Sequence, residues 1–136
     1  MPNTPTKGRL RPQTNTDTEF FWEGTRRHKL LVQSCSACHT IRHPPGPACP
    51  HCHSLEWESK ELSGRGRLYS YTVVHHPLPP GFEEPVIVAV VELDEGIRMV
   101  SNVVDIEADS LKIDEPLQVT FVDQDEGWTA PLFGRM

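Results

Sequence analysis

The sequence has no run of about 18 apolar residues, the length that a membrane-spanning helix requires. Its first residues, Met1-Pro2-Asn3-Thr4-Pro5, lack the basic and apolar stretches of a secretory signal. Aromatic residues make up only 7% of the 136 residues, whereas there are 13 prolines, a composition that disfavours a helical bundle and favours short elements joined by turns. We therefore expect a cytoplasmic protein of one domain, or of two small modules packed as one.

The sequence also lacks a surplus of basic residues. Residues 1–60 contain 8 Lys and Arg against 5 Asp and Glu, residues 61–136 contain 5 against 14, and the net charge is −6. Nucleic-acid-binding domains usually present a basic face, because contacts to phosphates supply much of their affinity. The acidic second half therefore argues against nucleic acid as a partner, and no membrane partner is expected.

All four cysteines lie in two Cys-x-x-Cys pairs, Cys35 with Cys38 and Cys49 with Cys52, separated by ten residues. Each pair can hold one edge of a metal tetrahedron, and disulfides are disfavoured in a reducing cytosol. The pattern predicts a structural zinc site, with iron in a rubredoxin-type site as the alternative metal. With four thiolate ligands such a site has no open position, so the metal could not activate water.

Four histidines flank these cysteines, at positions 39, 43, 51 and 53. One hypothesis is a mixed ligand set in which His51 or His53 replaces Cys52. The alternative, which the complete set of four cysteines favours, is that the histidines lie outside the metal ligands and form hydrogen bonds near the thiolates.

Two arginines, Arg65 and Arg67, alternate with glycines in the sequence Gly-Arg-Gly-Arg at residues 64–67. Guanidinium groups bind phosphate through forked hydrogen bonds, so both are candidate contacts for the phosphates of acyl-CoA. The alternative is a β-bulge with solvated arginines, because glycine within a strand often marks a bend.

The pair His75-His76 could act as a general base together with Glu83 or Glu84. No nucleophile or second acid is suitably spaced in the sequence, so we assign no catalytic residue and favour a loop pair at an interface.

Composition and periodicity divide the chain into five parts. Thr16 and Glu19 have the spacing of a capping box, which predicts a short helix from about Asp17 to Glu23, ended by Gly24. Strands are predicted over residues 29–33, 57–62, 66–74, 86–93, 97–104 and 117–122, with a hairpin turn at 94–96. The parts are a disordered tail (1–15), an N-terminal helix (16–28), a zinc ribbon (29–62), a small β-barrel (63–127) and an apolar C-terminal tail (128–136).

Two apolar groups at the ends of the chain are candidate partner contacts. They are Phe20, Phe21 and Trp22 in the predicted helix, and Trp128, Leu132 and Phe133 in the C-terminal tail. Packing in the core is the simpler explanation of the three aromatics in the helix. Three consecutive residues cannot all lie on one side of a helix, however, so at least one of them could contact a partner. The tail is expected to dock either on the barrel or on another chain.

Five segments match one known family in order. Residues 21–24, 31–38, 44–52, 55–57 and 64–75 read FWEG, LVQSCSAC, PPGPACPHC, LEW and GRGRLYSYTVVH. In these segments the chain, over about residues 17–133, resembles the zinc-ribbon plus OB-fold proteins first grouped as domain of unknown function thirty-five. The resemblance implies a mainly β protein with an N-terminal helical arm, a rubredoxin-like zinc ribbon and a C-terminal OB-fold barrel.

The resemblance also implies a function. Members of this family are companions of thiolase-superfamily enzymes that act on acyl-CoA thioesters, among them thiolases coupled to hydroxymethylglutaryl-CoA synthase, acyltransferases, and retro-aldolases of sterol side-chain breakdown. A related form is fused to or paired with hot-dog-fold enoyl-CoA hydratases. We expect a subunit without catalytic residues of its own that stabilises a thiolase-like acyltransferase or aldolase, with acyl-CoA at the shared interface. The alternatives are a nucleic-acid-binding OB and zinc-ribbon module, or a companion of an enoyl-CoA hydratase.

Overall fold

The computed structural model describes residues 4–82 and 84–136. Within these residues the chain forms one α-helix, eight β-strands and one short 3-10 helix. They are α1 (Glu19–Arg26), β1 (Leu31–Cys35), β2 (Ile41–Arg42), β3 (Trp57–Glu61), β4 (Arg65–Val74), β5 (Val86–Leu93), β6 (Arg98–Asn102), the 3-10 helix (Ala108–Ser110), β7 (Pro116–Asp123) and β8 (Thr129–Arg135). The mainly β fold predicted from the sequence is confirmed.

The first three strands form the zinc ribbon, an antiparallel sheet in the order β2-β1-β3. β1 is the central strand and is buried along its whole length. Its Gln33 has no exposure to solvent, and the side-chain carbonyl accepts hydrogen bonds from Arg42 Nε (2.8 Å) and from the backbone N–H of Gly46 (2.9 Å). These bonds tie the segment between the two cysteine pairs to the central strand.

The remaining strands form an antiparallel sheet in the order β6-β5-β4-β7-β8, curled into a nearly closed OB-fold barrel. The two edge strands meet where Val103 and Phe133 form a bridge and the N–H of Val104 donates to the carbonyl of Phe133 (2.9 Å). Ser101 Oγ also donates to the carbonyl of Pro131 (2.6 Å) across this seam. The barrel therefore leaves little unprotected strand edge between β6 and β8.

One hydrophobic core runs through the helix, the ribbon and the barrel. Along β5 the buried residues alternate, which is the pattern of a strand with one face inward. The core includes Phe21 from α1, Val32 from β1, and a larger barrel set: Leu68, Ile87, Ala89, Val91, Leu93, Met99, Val103, Leu117 and Phe133. The ribbon and helix are thereby fixed against the barrel.

The helix differs from the prediction at both ends. It spans Glu19–Arg26 instead of residues 17–23, and Thr18 precedes it without a side-chain cap. The predicted capping box is wrong, since Asn15 Oδ1 accepts from the N–H groups of Asp17 (2.9 Å) and Thr18 (3.1 Å). Gly24 does not end the helix. It is buried inside it, where an added Cβ would lie only 2.8 Å from Leu31 Cδ1, so its small size serves packing.

All the strands predicted for the barrel are present, with ends shifted by a few residues. The hairpin turn at 94–96 is confirmed, with Gly96 at φ 95°. The apolar segment at the C-terminus is predicted to be a tail, separate from the barrel domain, that docks either on the barrel or on another chain. In the structure its residues 129–135 form β8 and pair with β7 over seven residues, so the barrel extends to residue 135 and its docking surface is the barrel itself.

The N-terminal segment was predicted to be a disordered tail over residues 1–15. Residues 1–3 lie outside the described part of the chain. Residues 4–15 form neither helix nor strand, but Lys7 and Arg9 are hydrogen-bonded to the barrel through Asp125, Gln124 and Asn102. Among the described residues, no helix is long and apolar enough to span a membrane.

Candidate metal centre and interface

The four cysteines converge at one end of the ribbon. Their Sγ atoms all lie within 4.8 Å of one another, and the closest approaches are 3.5 Å (Cys35 to Cys52) and 3.6 Å (Cys38 to Cys49). A tetrahedral zinc site with Zn–S bonds of about 2.3 Å separates its sulfur atoms by about 3.8 Å. The cluster therefore fits a four-thiolate zinc site, as the spacing predicted.

Each cysteine pair is held by the same backbone pattern. In the first, the N–H of Cys35 donates to Thr40 and the N–H of His39 donates to Cys35; in the second, Cys49 bonds to Ser54 and His53 bonds to Cys49 in the same way, all at 2.8–2.9 Å. His39 and His53 both adopt left-handed backbone conformations, with φ of 63° and 66°. The two loops thus fold back symmetrically and aim their thiols at a common centre.

The surroundings of Cys35 and Cys38 favour the deprotonated thiolate form of both side chains. Hydrogen bonding from the Thr40 side chain and backbone lowers the pKa of Cys38 to about 5. The backbone N–H of Cys38, together with that of Ala37, lowers the pKa of Cys35. Because zinc binds the deprotonated sulfur, these donors prepare the ligands for the metal.

The histidines are not part of the metal-ligand cluster. Within the described residues, the group with metal-binding geometry contains the four cysteines alone, so Cys52 is not replaced by His51 or His53. His51 hydrogen-bonds to Cys38 and contributes to its lowered pKa, which is the supporting role considered in the sequence analysis. His43 is turned away from the ribbon end, with its ring 5.3 Å from that of Phe21, and burial lowers its pKa.

A cavity of about 320 Å³ lies where the helix, the ribbon and the β6–β8 seam meet. It brings together four of the six apolar residues predicted at a partner interface: Phe21, Trp22, Trp128 and Leu132. The rings of Trp22 and Trp128 meet edge to face at 5.6 Å. The cavity is within the size range of small-ligand pockets and is mostly apolar.

The other two predicted interface residues lie elsewhere. Phe20 packs on the ribbon, with its ring centroid 4.6 Å from that of Trp57. Phe133 is fully buried in the barrel, so its role in this chain is core packing.

Polar groups that sequence reasoning missed also line the cavity. Arg9 reaches it from the N-terminal segment and donates from NH1 to Asn102 Oδ1 (2.6 Å), and burial lowers the pKa of Arg9. His43 Nδ1 and Trp128 Nε1 are buried without a hydrogen-bond partner among the described residues. No local motif marks these residues, because they are brought together only by the packing of distant segments.

The two arginines proposed for phosphate binding lie two residues apart on the exposed side of β4. Arg67 NH1 donates to the backbone carbonyl of Asp114 (2.8 Å), and Glu92 and Asp94 line the same hollow. The bulge considered as the alternative for residues 64–67 is not at the arginines. The irregularity in the pairing of β4 with β5 lies beyond them, between Leu68 and Ser70. Contact of Arg65 and Arg67 with acyl-CoA phosphates stays a prediction, and the nearby carboxylates weaken the attraction of this hollow for anions.

The histidines of the β4–β5 loop, His75 and His76, are both exposed. Of the two carboxylates considered with them, Glu83 lies outside the described residues, and Glu84 accepts a hydrogen bond from the N–H of Thr4 (2.8 Å).

Comparisons with known families match both halves of the chain. The rubredoxin-like zinc ribbon domain of ChsH2 matches residues 22–58, and the C-terminal OB-fold domain of ChsH2 matches residues 59–122. The division between the two lies inside β3. The four-cysteine cluster therefore lies in a recognised zinc ribbon, and zinc is its structural metal.

Several curated proteins are similar in sequence. A probable enoyl-CoA hydratase alpha subunit of Thermomonospora curvata is 46% identical over 92% of this chain and 39% of its own length. The 3-oxo-4,17-pregnadiene-20-carboxyl-CoA hydratase alpha subunit of Mycobacterium tuberculosis is 37% identical over 84% of this chain and 36% of its own. The chain thus spans less than two fifths of these relatives. A DUF35 domain-containing scaffold protein of Methanothermobacter thermautotrophicus is 34% identical over 78% of this chain and 82% of its own.

Two solved structures are similar to about nine tenths of the chain. A chain of the Ltp2-ChsH2(DUF35) aldolase superimposes with a TM-score of 0.88 at 46% identity, over 92% of this chain and 98% of that one. A DUF35 protein of unknown function from Sulfolobus solfataricus has a TM-score of 0.61 at 19% identity, which shows a shared fold alone.

Proposed function

Because the chain belongs to the DUF35 family of zinc-ribbon plus OB-fold proteins, we propose that it is a non-catalytic accessory subunit that binds and stabilises a thiolase-like enzyme acting on acyl-CoA thioesters. The observation that carries the proposal is the likeness to the aldolase chain, which extends over 98% of that chain at 46% identity. An aldolase is the partner that this likeness favours. The narrower proposal is a retro-aldolase of sterol side-chain degradation, with an acyltransferase as the alternative partner.

The chemistry of the metal site is consistent with a non-catalytic role for this chain. All four cysteines of the chain converge at the metal centre, which leaves none as a nucleophile. A closed four-thiolate zinc stabilises a fold and offers no position for substrate. On this proposal the catalytic groups belong to the partner enzyme.

The cavity beside the helix is the proposed centre of the partner interface. Its wall holds the half-buried Trp22, and Val100, which also lines the cavity, is 68% exposed. Binding energy at protein interfaces concentrates in a few residues, tryptophan and arginine prominent among them, and Trp22, Trp128 and Arg9 line this cavity. Acyl-CoA bound by the partner would then approach this side of the chain.

Replacing Val100 with aspartate tests this placement. A charge on the cavity rim must be desolvated when an apolar surface closes over it, so Val100→Asp is expected to weaken binding of the partner enzyme at least about tenfold. The matched control is Ile113→Asp, which adds the same charge at a residue that is 57% exposed and is not part of the cavity wall. Binding is measured by titration of the purified partner, while metal content verifies folding of the ribbon and urea denaturation verifies folding of the barrel.

Equal affinities of the wild-type chain and Val100→Asp would contradict the placement of the interface. An equal loss in Ile113→Asp would show a nonspecific effect of charge and contradict it as well.

A second candidate function is companion to an enoyl-CoA hydratase. The observation that favours it is the similarity to the two hydratase alpha subunits, at 46% and 37% identity. The identity of the enzyme that co-purifies with the chain separates this function from the first. A nucleic-acid module is not favoured, because residues 61–136 carry 14 acidic against 5 basic side chains.

A further inference from the structure

The N-terminal segment, residues 4–9, crosses the end of the barrel beside the turn that joins β7 to β8. Three hydrogen bonds to the β7–β8 turn hold its backbone there, and a further one joins the N–H of Thr4 to the carboxylate of Glu84 (2.8 Å). The N–H of Asp125 donates to the carbonyl of Lys7 (2.9 Å), Gln124 Nε2 donates to the carbonyl of Thr6 (2.9 Å), and the N–H of Arg9 donates to Gln124 Oε1 (3.2 Å). One side-chain amide therefore pairs with both an acceptor and a donor of the segment.

Gln124 is positioned for this role by the barrel. Its side chain is buried, and its Nε2 also donates to the carbonyl of Val122 (3.1 Å), which fixes the orientation of the amide. An amide held in this way recognises the polypeptide backbone and is indifferent to the side chains of the segment.

Arg9 supplies the side-chain contact. Its guanidinium donates to Asn102 Oδ1 (2.6 Å) and lies 4.6 Å from the centre of the Phe82 ring. Asn102 is itself oriented, because its Nδ2 donates to the carbonyl of Ile87 (3.0 Å). An amide oxygen and an aromatic face together form a receptor for a cationic side chain.

The β4–β5 loop lies close against the N-terminal segment, and its backbone conformation allows this contact. Gly81 has φ 89°, and a Cβ at this position would collide with the carbonyl oxygen of Gly8. The absence of a side chain at Gly81 thus allows the loop and the segment to approach backbone to backbone.

We propose that this end of the barrel is a groove for an extended peptide, and that residues 4–9 of the same chain are its occupant. In OB folds the loop between the first two strands and the loop between the last two hold the ligand, and here these are the β4–β5 loop and the β7–β8 turn. The ligands of this groove are extended peptides that carry an arginine three residues after the residue whose carbonyl accepts from Gln124, as Arg9 follows Thr6 here. The groove adjoins the proposed partner interface, because Arg9 and Asn102 also line that cavity, whereas Gln124, Asp125 and Gly81 lie outside its wall. Its occupation does not depend on the identity of the partner.

Trypsin cleavage of the full chain tests the proposal. The segment contains two sites, after Lys7 and after Arg9, and a protease cuts them only when the segment leaves the groove. Gln124→Ala removes two of the backbone hydrogen bonds and is expected to speed cleavage after Lys7 about tenfold or more. Arg9→Ala removes the side-chain anchor and is expected to speed the same cut, without any change inside the barrel. Gln118→Ala, on the exposed side of β7, is the matched control and is expected to leave the rate unchanged.

Equal cleavage rates after Lys7 in the wild-type chain, Gln124→Ala and Arg9→Ala would overturn the proposal. The wild-type rate is also expected to be independent of protein concentration, because the occupant belongs to the same chain. Protection that increases with concentration would show that a second copy supplies the segment, which would contradict occupation within one chain. Co-purification with an enzyme is a different readout, so failure of the proposed function would not affect this result.

Discussion

Replacing Cys49 with serine is expected to abolish metal binding and unfold the zinc ribbon. Cys49 is buried, and its Sγ lies 3.6 Å from that of Cys38 within the metal cluster. Binding of a structural zinc contributes on the order of 10 kcal/mol to the folding of a small module. The ribbon has one buried strand flanked by two others, so its own packing does not replace that contribution.

The experiment measures bound metal and backbone protection in the same samples. The Cys49→Ser chain is expected to contain no bound zinc, and hydrogen exchange over residues 31–61 should become fast. Ser36→Ala is the control, because Ser36 lies exposed between Cys35 and Cys38 in the other cysteine loop, and its backbone N–H, which the substitution keeps, donates to the carbonyl of Glu56. Full metal occupancy in Cys49→Ser would show that the ligands are wrongly assigned.

Replacing Phe133 with alanine is expected to destabilise the barrel by about 3–5 kcal/mol. Phe133 is fully buried and lies on β8 at the bridge to Val103, where the two edges of the barrel meet. Removing the Phe133 ring therefore leaves a cavity in the core and also weakens the contact that closes the barrel. Since domains of this size are stable by about 5–15 kcal/mol, such a loss is a large share of the total.

Urea denaturation measures this effect. Met136→Ala is the matched control, because Met136 is 64% exposed only three residues further along the chain, and its truncation is expected to change stability by less than about 0.5 kcal/mol. A loss below about 1 kcal/mol in Phe133→Ala would contradict the placement of this residue in the core and of β8 in the barrel.

The sequence predicts the parts of this structure that depend on local patterns. The Cys-x-x-Cys spacing places four thiols around one centre, and alternation of apolar residues locates β5 at its observed bounds, Val86–Leu93. β8 could not be predicted in this way, because Pro131 and Gly134 interrupt the alternation of apolar and polar residues along it. Proline is tolerated there because β8 is the last strand of the sheet.

Features that depend on distant contacts could not be predicted from local patterns. Gly24 has the sequence context of a helix end, but its position is decided by the approach of Leu31. The N-terminal segment has the polar, proline-containing composition of a disordered tail, yet Gln124, more than a hundred residues away, provides its hydrogen-bond partners. The cavity wall likewise joins α1 to β8, which only the folded chain brings together.

The metal centre and the partner interface have separate roles in this account. Zinc fixes the ribbon, and the ribbon and barrel share a core with α1. The cavity wall that we propose for the partner is formed partly by this core and partly by a second cluster that contains Trp128, Ala130 and Leu132. Loss of zinc is therefore expected to weaken partner binding through unfolding, whereas Val100→Asp weakens it with the fold intact.

The most direct test of the accessory role is affinity purification of the tagged chain from its native host, followed by mass spectrometry of the co-purifying proteins and an absorbance ratio for nucleic acid. The account predicts a stoichiometric thiolase-like enzyme bound to the wild-type chain and reduced recovery of that enzyme with Val100→Asp. Recovery of the chain alone, or together with nucleic acid, would contradict it.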